Sequence, residues 1–192
     1  MREKPYGSPV LLIVSGPPGA GKSTLSQRLA DSFVLPLLQK DMIKETLCDV
    51  LACTTLSQCQ LYGRASMLLL YQFAEALLKR GQSCIIESTF HPTFSMQDLL
   101  KLQERCPFFP LQIHCQAEIS VLAERVKRRW ESGQRHRGHM ELLRAFDPKL
   151  PLPPEYLQPL PLDGHIIEVD TTDVETIDYE HLLAQVQIIL GN

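Results

Sequence analysis

Glycine, lysine and serine residues stand close together near the beginning of the sequence, in residues 16–23. They read Gly-Pro-Pro-Gly-Ala-Gly-Lys-Ser, which matches the phosphate-binding pattern G-x-x-x-x-G-K-[ST] in full. Backbone N–H groups of such a loop point inward at a polyphosphate, and the lysine adds a mobile cation. Ser23 offers a hydroxyl to Mg²⁺, which prefers oxygen ligands. The pattern therefore predicts that the chain binds the phosphates of ATP or GTP.

The segments on either side of this loop support that interpretation. The apolar run Val10–Val14 predicts a buried strand, and residues 24–30 predict a helix. A glycine turn beside a surface lysine is the alternative, and the order of strand, loop and helix disfavours it. The residues of this loop that we expect to hold the nucleotide are Gly16, Pro18, Gly19, Ala20, Gly21, Lys22, Ser23 and Thr24.

An aspartate follows the next short apolar segment. Residues 35–38 predict a strand, and Asp41 lies just after it. Because ligands in open α/β sheets gather at the carboxyl ends of strands, Asp41 can face a bound phosphate and accept a proton from an attacking hydroxyl. Aspartate also caps helices, and a helix is predicted from Met42, so the sequence leaves both roles open.

A glutamate occupies the corresponding place after another apolar run. Residues 84–86 predict a buried strand that ends at Glu87. A carboxylate in this place can hold Mg²⁺ through water, and the alternative is an ordinary hydrogen-bonded carboxylate at a strand end. Ser88 and Thr89 follow directly, and their hydroxyls can orient the acceptor or the water around the metal.

Five arginines fall within thirteen residues of a protein whose net charge is −3. Arg125, Arg128 and Arg129 share one helix face at i, i+3 and i+4, and Arg135 and Arg137 follow. Guanidinium groups suit the charge of a transferring phosphoryl group, so a mobile segment that carries them can close over ATP and exclude water. The alternatives are a solvated helix face with ion pairs to glutamates and a patch that binds nucleic-acid phosphates.

Composition limits the classes to which the chain can belong. Its 192 residues predict a single domain over 1–192, and 44% hydrophobic content is enough for a sizeable core. No apolar run approaches the ~20 residues of a membrane span. The N-terminus lacks the hydrophobic region of a signal peptide, so we expect a cytoplasmic protein with no membrane partner. The six cysteines form no C-x-x-C pair and are interpreted as reduced core residues.

Strand and helix patterns alternate along the sequence, which predicts an α/β fold with a parallel sheet. Pro110 in the strand predicted over 109–114 favours an edge strand or a strand start. Six prolines within residues 147–162 predict an extended connection or a rim of the substrate site. A long helix is predicted over 56–80, with a core face formed by Leu61, Ala65, Leu68, Leu69 and Phe73.

These motifs make the sequence resemble the small P-loop kinases, proteins with an AAA-type P-loop ATPase domain, over about Val10 to Leu190. The sequence is most similar to the branch that holds polynucleotide 5′-hydroxyl kinase domains, zeta-toxin-type kinases and chloramphenicol phosphotransferase. Residues 40–44 resemble the branch's Asp-x-x-Arg element, in which the aspartate is the catalytic base, and Lys44 stands at the arginine place. Residues 85–89 resemble its strand-end acid element.

Later segments extend the resemblance. Residues 135–139 resemble an Arg-x-x-Gly-His element of bacterial members, and residues 169–172 resemble the loop near the adenine. The resemblance implies a three-layer α/β P-loop NTPase fold, with a five-stranded parallel sheet flanked by helices. It also implies an Arg-rich lid over about residues 125–145.

The leading hypothesis is an ATP- and Mg²⁺-dependent kinase that phosphorylates a hydroxyl of a small molecule. The alternatives are a polynucleotide 5′-hydroxyl kinase, with nucleic acid as its partner, and a non-kinase ATPase or switch. Catalytic roles are predicted for Lys22, Asp41, Arg125 and Arg129. Nucleotide contacts are also predicted for Arg129 and Thr171, and Mg²⁺ contacts for Ser23 and Glu87. Acceptor contacts are predicted for Asp41, Lys44, Ser88, Thr89 and Arg137.

Overall fold

The computed structural model describes residues 7–133, 135–139 and 154–191. Five strands pair in parallel and form one sheet, as the sequence predicted. The strands are β1 (Val10–Ser15), β2 (Leu37–Gln39), β3 (Cys84–Glu87), β4 (Phe109–Gln116) and β5 (His165–Asp170). Their order across the sheet is β2-β3-β1-β4-β5, so the chain crosses over repeatedly and β1 lies at the centre.

Helices connect the strands and cover both faces of the sheet. Within the described residues they are α1 (Lys22–Phe33), α2 (Lys40–Leu51), α3 (Leu56–Leu78), α4 (Pro92–Arg105), α5 (Ile119–Glu131) and α6 (Tyr179–Gly191). Short 3₁₀ turns lie at Arg137–His139, Pro154–Leu157 and Val174–Thr176. No helix in the described part of the chain combines the length and apolar character that crossing a membrane requires.

Alternation along the central strands separates two hydrophobic cores. Val10, Leu12 and Val14 of β1 point to one face, where they pack in a cluster with residues of α1, α5 and α6. Leu11 and Ile13 point to the other face and pack with residues of α3 and α4. All six residues of β1 are buried, because the strand is covered on both sides. The three-layer arrangement that the sequence predicted is therefore confirmed.

The predicted core face of α3 is wrong. Leu61, Leu68 and Phe73 have exposed fractions of 64%, 45% and 50%. The side chains that α3 buries are Cys59, Ser66, Leu70, Tyr71, Ala74 and Leu78. Apolar residues occur on several sides of this helix, so their spacing alone does not select a face. Packing against β1 and β3 selects it instead.

Pro110 occupies the second position of β4, which agrees with the predicted strand start. The alternative of an edge strand is wrong, because β4 lies between β1 and β5. Downstream, only part of the proline-rich segment 147–162 is described. Its residues 154–162 pack back onto the sheet, and Leu160 and Leu162 are buried in the core beside α3 and α4.

A buried glutamine attaches this returning segment to the sheet. The side chain of Gln112 in β4 donates a hydrogen bond to the carbonyl oxygen of Leu160 and accepts one from its N–H, both at 2.8 Å. Gln112 is 1% exposed. The two bonds satisfy both backbone groups of a residue outside any ladder, which a buried chain segment requires.

We expect Gln112→Leu to destabilise the fold by roughly 1–3 kcal/mol, because it removes the acceptor of the buried Leu160 N–H, whereas the Leu160 carbonyl still accepts from the Leu162 N–H. Urea denaturation of the wild type and the variant measures this difference. Gln27→Leu is the matched control, since Gln27 is exposed on α1 and bonds only Asp31. Equal losses in the two variants would contradict the role assigned to Gln112.

Candidate active site

The glycine-rich loop follows β1 and leads directly into α1, whose first residue is Lys22. Gly16 has φ +133°, and a Cβ added there would lie 2.1 Å from the carbonyl oxygen of Cys115. Gly19 has φ +87°, and its added Cβ would lie 2.8 Å from the carbonyl oxygen of Leu122. Neither position accepts a side chain without displacement of backbone. Close packing of the loop against β4 and α5 therefore requires glycine at both positions, and the N-terminus of α1 that follows suits a polyphosphate.

Lys22 is buried within this loop, and its Nζ donates a hydrogen bond to the carbonyl oxygen of Pro17 at 2.9 Å. Burial lowers the pKa of Lys22, while the carboxylate of Glu87 opposes that effect. An ammonium group in such a place gains most from an added negative charge. A phosphate in the loop would supply it.

Ser23 and Glu87 bring two oxygen groups together below the loop. The Ser23 hydroxyl donates a hydrogen bond to Glu87 Oε2 at 3.3 Å, and Gln39 Nε2 donates to the same oxygen at 3.3 Å. Glu87 is 5% exposed, and burial raises its pKa. A divalent cation beside it would offset that burial and favour the ionised carboxylate.

The Ser23–Glu87 pair fits Mg²⁺, because both side chains offer hard oxygen ligands and the two oxygens are 3.3 Å apart, close enough to share one ion. Among the described residues no three His, Cys, Asp or Glu side chains are grouped to hold a metal ion. Mg²⁺ does not need such a group, since it keeps several waters and binds through one or two protein oxygens plus phosphates.

Asp41 lies in the first turn of α2, which begins at Lys40. Gln39 is the residue before the helix, so the alternative that Asp41 caps it is wrong. Desolvation favours the protonated form of Asp41, but the charges of Lys40, His139 and Arg135 outweigh it and hold the pKa well below its usual range. Lys40 Nζ is 2.9 Å and Arg135 3.3 Å from its carboxylate oxygens. Asp41 therefore carries an ionised carboxylate, and its role as a base stays a prediction.

The two acids and the loop serine share one cavity of about 180 Å³ at the carboxyl ends of β2 and β3. This is the edge of the sheet where α/β proteins place their ligands. Its lining consists of Ser23, Gln39, Asp41, Met42, Glu45, Glu87 and Arg135.

Arg125 hydrogen-bonds to the glycine-rich loop and to the loop after β5. Its guanidinium donates to the carbonyl oxygen of Gly19 at 3.4 Å and to those of Thr171 and Thr172 at 2.8 and 3.1 Å. Thr171 itself donates from Oγ1 to the carbonyl oxygen of Ala20 at 3.2 Å. These bonds join the phosphate loop to the loop after β5. The catalytic role of Arg125 stays a prediction, and the geometry gives this side chain a positioning role.

The remaining arginines have different surroundings. Arg128 is exposed and pairs with Glu124. Arg129 is exposed on the same helix, and its guanidinium has no hydrogen-bond or ion-pair partner among the described residues. Its predicted contact with the nucleotide stays a prediction. Of the lid predicted over 125–145, residue 134 and residues 140–145 lie outside the described residues.

Residues 135–139 lie along α2, whose acids are spaced four apart at Asp41, Glu45 and Asp49. Arg135 contacts Asp41, His139 Nε2 is 2.8 Å from Glu45 Oε1, and Arg137 is 3.2 Å from Asp49. The sequence pointed to the arginines and missed their partners on α2. The i, i+4 spacing of three acids was the available signal.

Four of the five residues predicted to contact the acceptor lie outside the cavity lining. Lys44 is fully buried, and its Nζ lies 3.8 Å from the Cβ position of Gly63 on α3. Ser88 is buried and donates toward Met67 Sδ at 3.6 Å, while Thr89 is half-buried. Arg137 faces Asp49 at the far end of α2. The cavity brings together Asp41, Ser23 and Glu87 from the predicted set.

We expect Arg125→Ala to weaken the binding of Mg·ATP about tenfold, because the Gly19 and Thr171 carbonyls lose the group that holds the loop in place. Isothermal titration calorimetry measures the affinity. Arg128→Ala on the same helix is the control and should bind like the wild type. A variant with unchanged affinity and a reduced phosphoryl-transfer rate would instead support the catalytic role.

The sequence matches the AAA domain family (AAA_33) over residues 11–151. No curated protein matches it. Among solved structures, the chain is similar to a candidate kinase from Chloroflexus aurantiacus, with 37% identity and a TM-score of 0.87. That match covers 95% of this chain and 99% of the other.

More distant structures share the architecture. A sugar kinase from Janibacter sp. HTCC2649 is 17% identical with a TM-score of 0.58, over 96% of this chain and 95% of that one. The APS kinase of Mycobacterium tuberculosis, in complex with AMPPNP and APS, is 10% identical with a TM-score of 0.62, over 96% and 99%. At these identities the two structures support the fold alone.

Proposed function

We propose that this chain is an ATP- and Mg²⁺-dependent kinase. The premise is that the chain belongs to the AAA domain family and to a P-loop kinase branch. The acceptor is a hydroxyl group of a small molecule. The 37% identity with the Chloroflexus aurantiacus candidate kinase supports the reaction class. We place the reaction in the cytoplasm, where ATP is plentiful.

One observation carries the proposal: Asp41 faces the same cavity as Ser23 and Glu87. A purely nucleotide-binding site needs the loop and a metal ligand, and it has no need of a second ionised carboxylate beside them. A kinase needs such a group, because the acceptor hydroxyl must be oriented and must lose its proton during transfer. The cavity offers that carboxylate within reach of the phosphate site.

Each residue then has a separate task. The loop amides and Lys22 bind the phosphates of ATP, and the Lys22 ammonium offsets negative charge on the transferring group. Asp41 orients the acceptor hydroxyl and takes its proton. Mg²⁺, held by Ser23 and through water by Glu87, would neutralise charge on the phosphate oxygens.

Arg135 joins this set, although the sequence identified it only as a member of the arginine cluster. It lines the cavity, contacts Asp41 at 3.3 Å and has a buried Nε–H without a partner in the described residues. A buried donor without a partner costs free energy, and an acceptor oxygen of a bound ligand would remove that cost. We assign Arg135 to the phosphate or acceptor oxygens when the site is filled.

The low pKa of Asp41 fits this chemistry. Its carboxylate stays ionised throughout the physiological pH range because of Lys40, His139 and Arg135. In a loose phosphoryl-transfer transition state the acceptor proton leaves late, so positioning matters more than basicity. If Arg135 turns toward a phosphate, Asp41 loses one stabilising cation and becomes a stronger base.

We expect Asp41→Asn to lower the rate of phosphoryl transfer by ~10²-fold or more, because the amide cannot take the proton, and to leave ATP affinity nearly intact. Rapid-quench transfer assays and calorimetry measure the two quantities. Asp49→Asn is the matched control, since Asp49 is exposed on the same helix and lies outside the cavity lining. Wild-type transfer rates in the Asp41 variant would remove this residue from the mechanism.

The acceptor is identified by measuring ATP consumption and product phosphorylation against hydroxylated metabolites, nucleosides, sugar nucleotides and aminoglycosides. We expect a small hydroxylated molecule to stimulate turnover at least tenfold over the hydrolysis background and to appear as a phosphomonoester. An oligonucleotide with a 5′-hydroxyl is tested in parallel. Labelling of that strand end alone would favour the polynucleotide kinase alternative, and unstimulated hydrolysis with every acceptor would favour an ATPase.

A further inference from the structure

Three cysteines form a separate buried cluster where α2 passes into α3. Cys48 lies on α2, Cys53 in the connecting loop and Cys59 in the second turn of α3. Tyr62 packs against them, and none of the three side chains belongs to the two cores that flank the sheet. The Sγ atoms of Cys53 and Cys59 are 2.6 Å apart.

We propose that Cys53 and Cys59 form a reversible disulfide when hydrogen peroxide oxidises the protein. Two thiol sulfurs in ordinary contact lie well beyond 3 Å from each other, so a separation of 2.6 Å places this pair close to bonding distance. The bond would need the sulfurs to approach by only about 0.5 Å, since an S–S bond is roughly 2.05 Å long. The loop between α2 and α3 already brings the two side chains face to face.

The oxidation balances with peroxide as the oxidant. Cys53 sulfur attacks one peroxide oxygen, the O–O bond breaks, and a sulfenic acid and one water form. Cys59 sulfur then attacks the sulfenic sulfur, the S–S bond forms, and the hydroxyl leaves as a second water with the Cys59 proton. Two thiols lose two electrons, and one peroxide becomes two waters.

Access and charge at the pair are consistent with slow, selective oxidation. Cys53 is 5% exposed and Cys59 is fully buried, so a small oxidant reaches Cys53 first. Burial raises the pKa of Cys53, and the hydrogen bond with Cys59 opposes that effect. The thiol therefore persists at neutral pH, so its oxidation is slow.

The pair is also close to the segment that lies on α2. A Cβ added at Gly138 would lie 2.6 Å from Cys48 Sγ, so residues 137–139 rest directly against the cysteine cluster. The disulfide would join the loop after α2 to α3, in the same cluster as Cys48, which makes that contact. This site does not depend on the proposed kinase activity, because its formation is read from the cysteines alone.

The test treats reduced, full-length protein with hydrogen peroxide, blocks the remaining thiols with iodoacetamide and digests without reductant. Chymotrypsin cuts after Leu51 and Leu56, which puts Cys48, Cys53 and Cys59 on separate fragments. We expect a cross-linked pair of the Cys53 and Cys59 fragments that dithiothreitol separates again. Alkylation of both cysteines, a cross-link that involves Cys48, or sulfinic acid without any cross-link would overturn the proposal.

Variants separate this pairing from general oxidation of buried thiols. Cys59→Ser should abolish the cross-link, whereas Cys48→Ser and Cys115→Ser should retain it. Cys115 is the matched control because it is equally buried and lies in β4. Loss of the cross-link in Cys48→Ser or in Cys115→Ser would also overturn the proposal. Peptide mapping of the wild type decides the question even where a variant folds poorly.

Discussion

The site depends on backbone packed against backbone at the end of β1. The carbonyl oxygen of Cys115 in β4 occupies the place that a side chain on Gly16 would need, so the loop turns close to the sheet. Arg125 and Thr171 then hold the loop carbonyls of Gly19 and Ala20 from the opposite side. Amides that are fixed in this way need little reorganisation when an anion arrives, and that preorganisation is the main source of their effect.

Burial and charge act in opposite directions on the ionisable groups around this loop. Burial lowers the pKa of Lys22 and raises that of Glu87, so each group favours a nearby opposite charge. Asp41 differs, because the charges of Lys40 and Arg135 help to keep its pKa low while its side chain remains 41% exposed. A phosphate with its divalent cation would satisfy both buried groups together. In the proposed kinase, the exposed Asp41 carboxylate would contact the acceptor hydroxyl.

The sequence predicted the features that are encoded locally. The loop pattern, the apolar runs of β1 and β3, and Asp41 and Glu87 at strand ends all depend on residues within a few positions of each other. The prediction of the core face of α3 was wrong because that face depends on distant residues. Leu68 and Leu70 are equally apolar, and Leu70 is buried because the sheet lies on its side of the helix, whereas Leu68 is exposed. The partners of Arg125 could not be predicted from the sequence either. They are the backbone carbonyls of Thr171 and Thr172, and every residue type has such a carbonyl.

The arginine-rich segment shows how much a count of charges leaves undecided. Five arginines in thirteen residues suggested one shared task, yet their surroundings divide them. Arg125 donates to carbonyl oxygens, Arg128 pairs with a glutamate in solvent, and Arg135 meets the candidate base. Of these three, Arg135 lines the cavity, and its buried Nε–H has no partner in the part of the chain that the structure describes. A guanidinium is always charged, so its function depends on the groups that it contacts. The fold determines those contacts, and the number of arginines in the sequence does not reveal them.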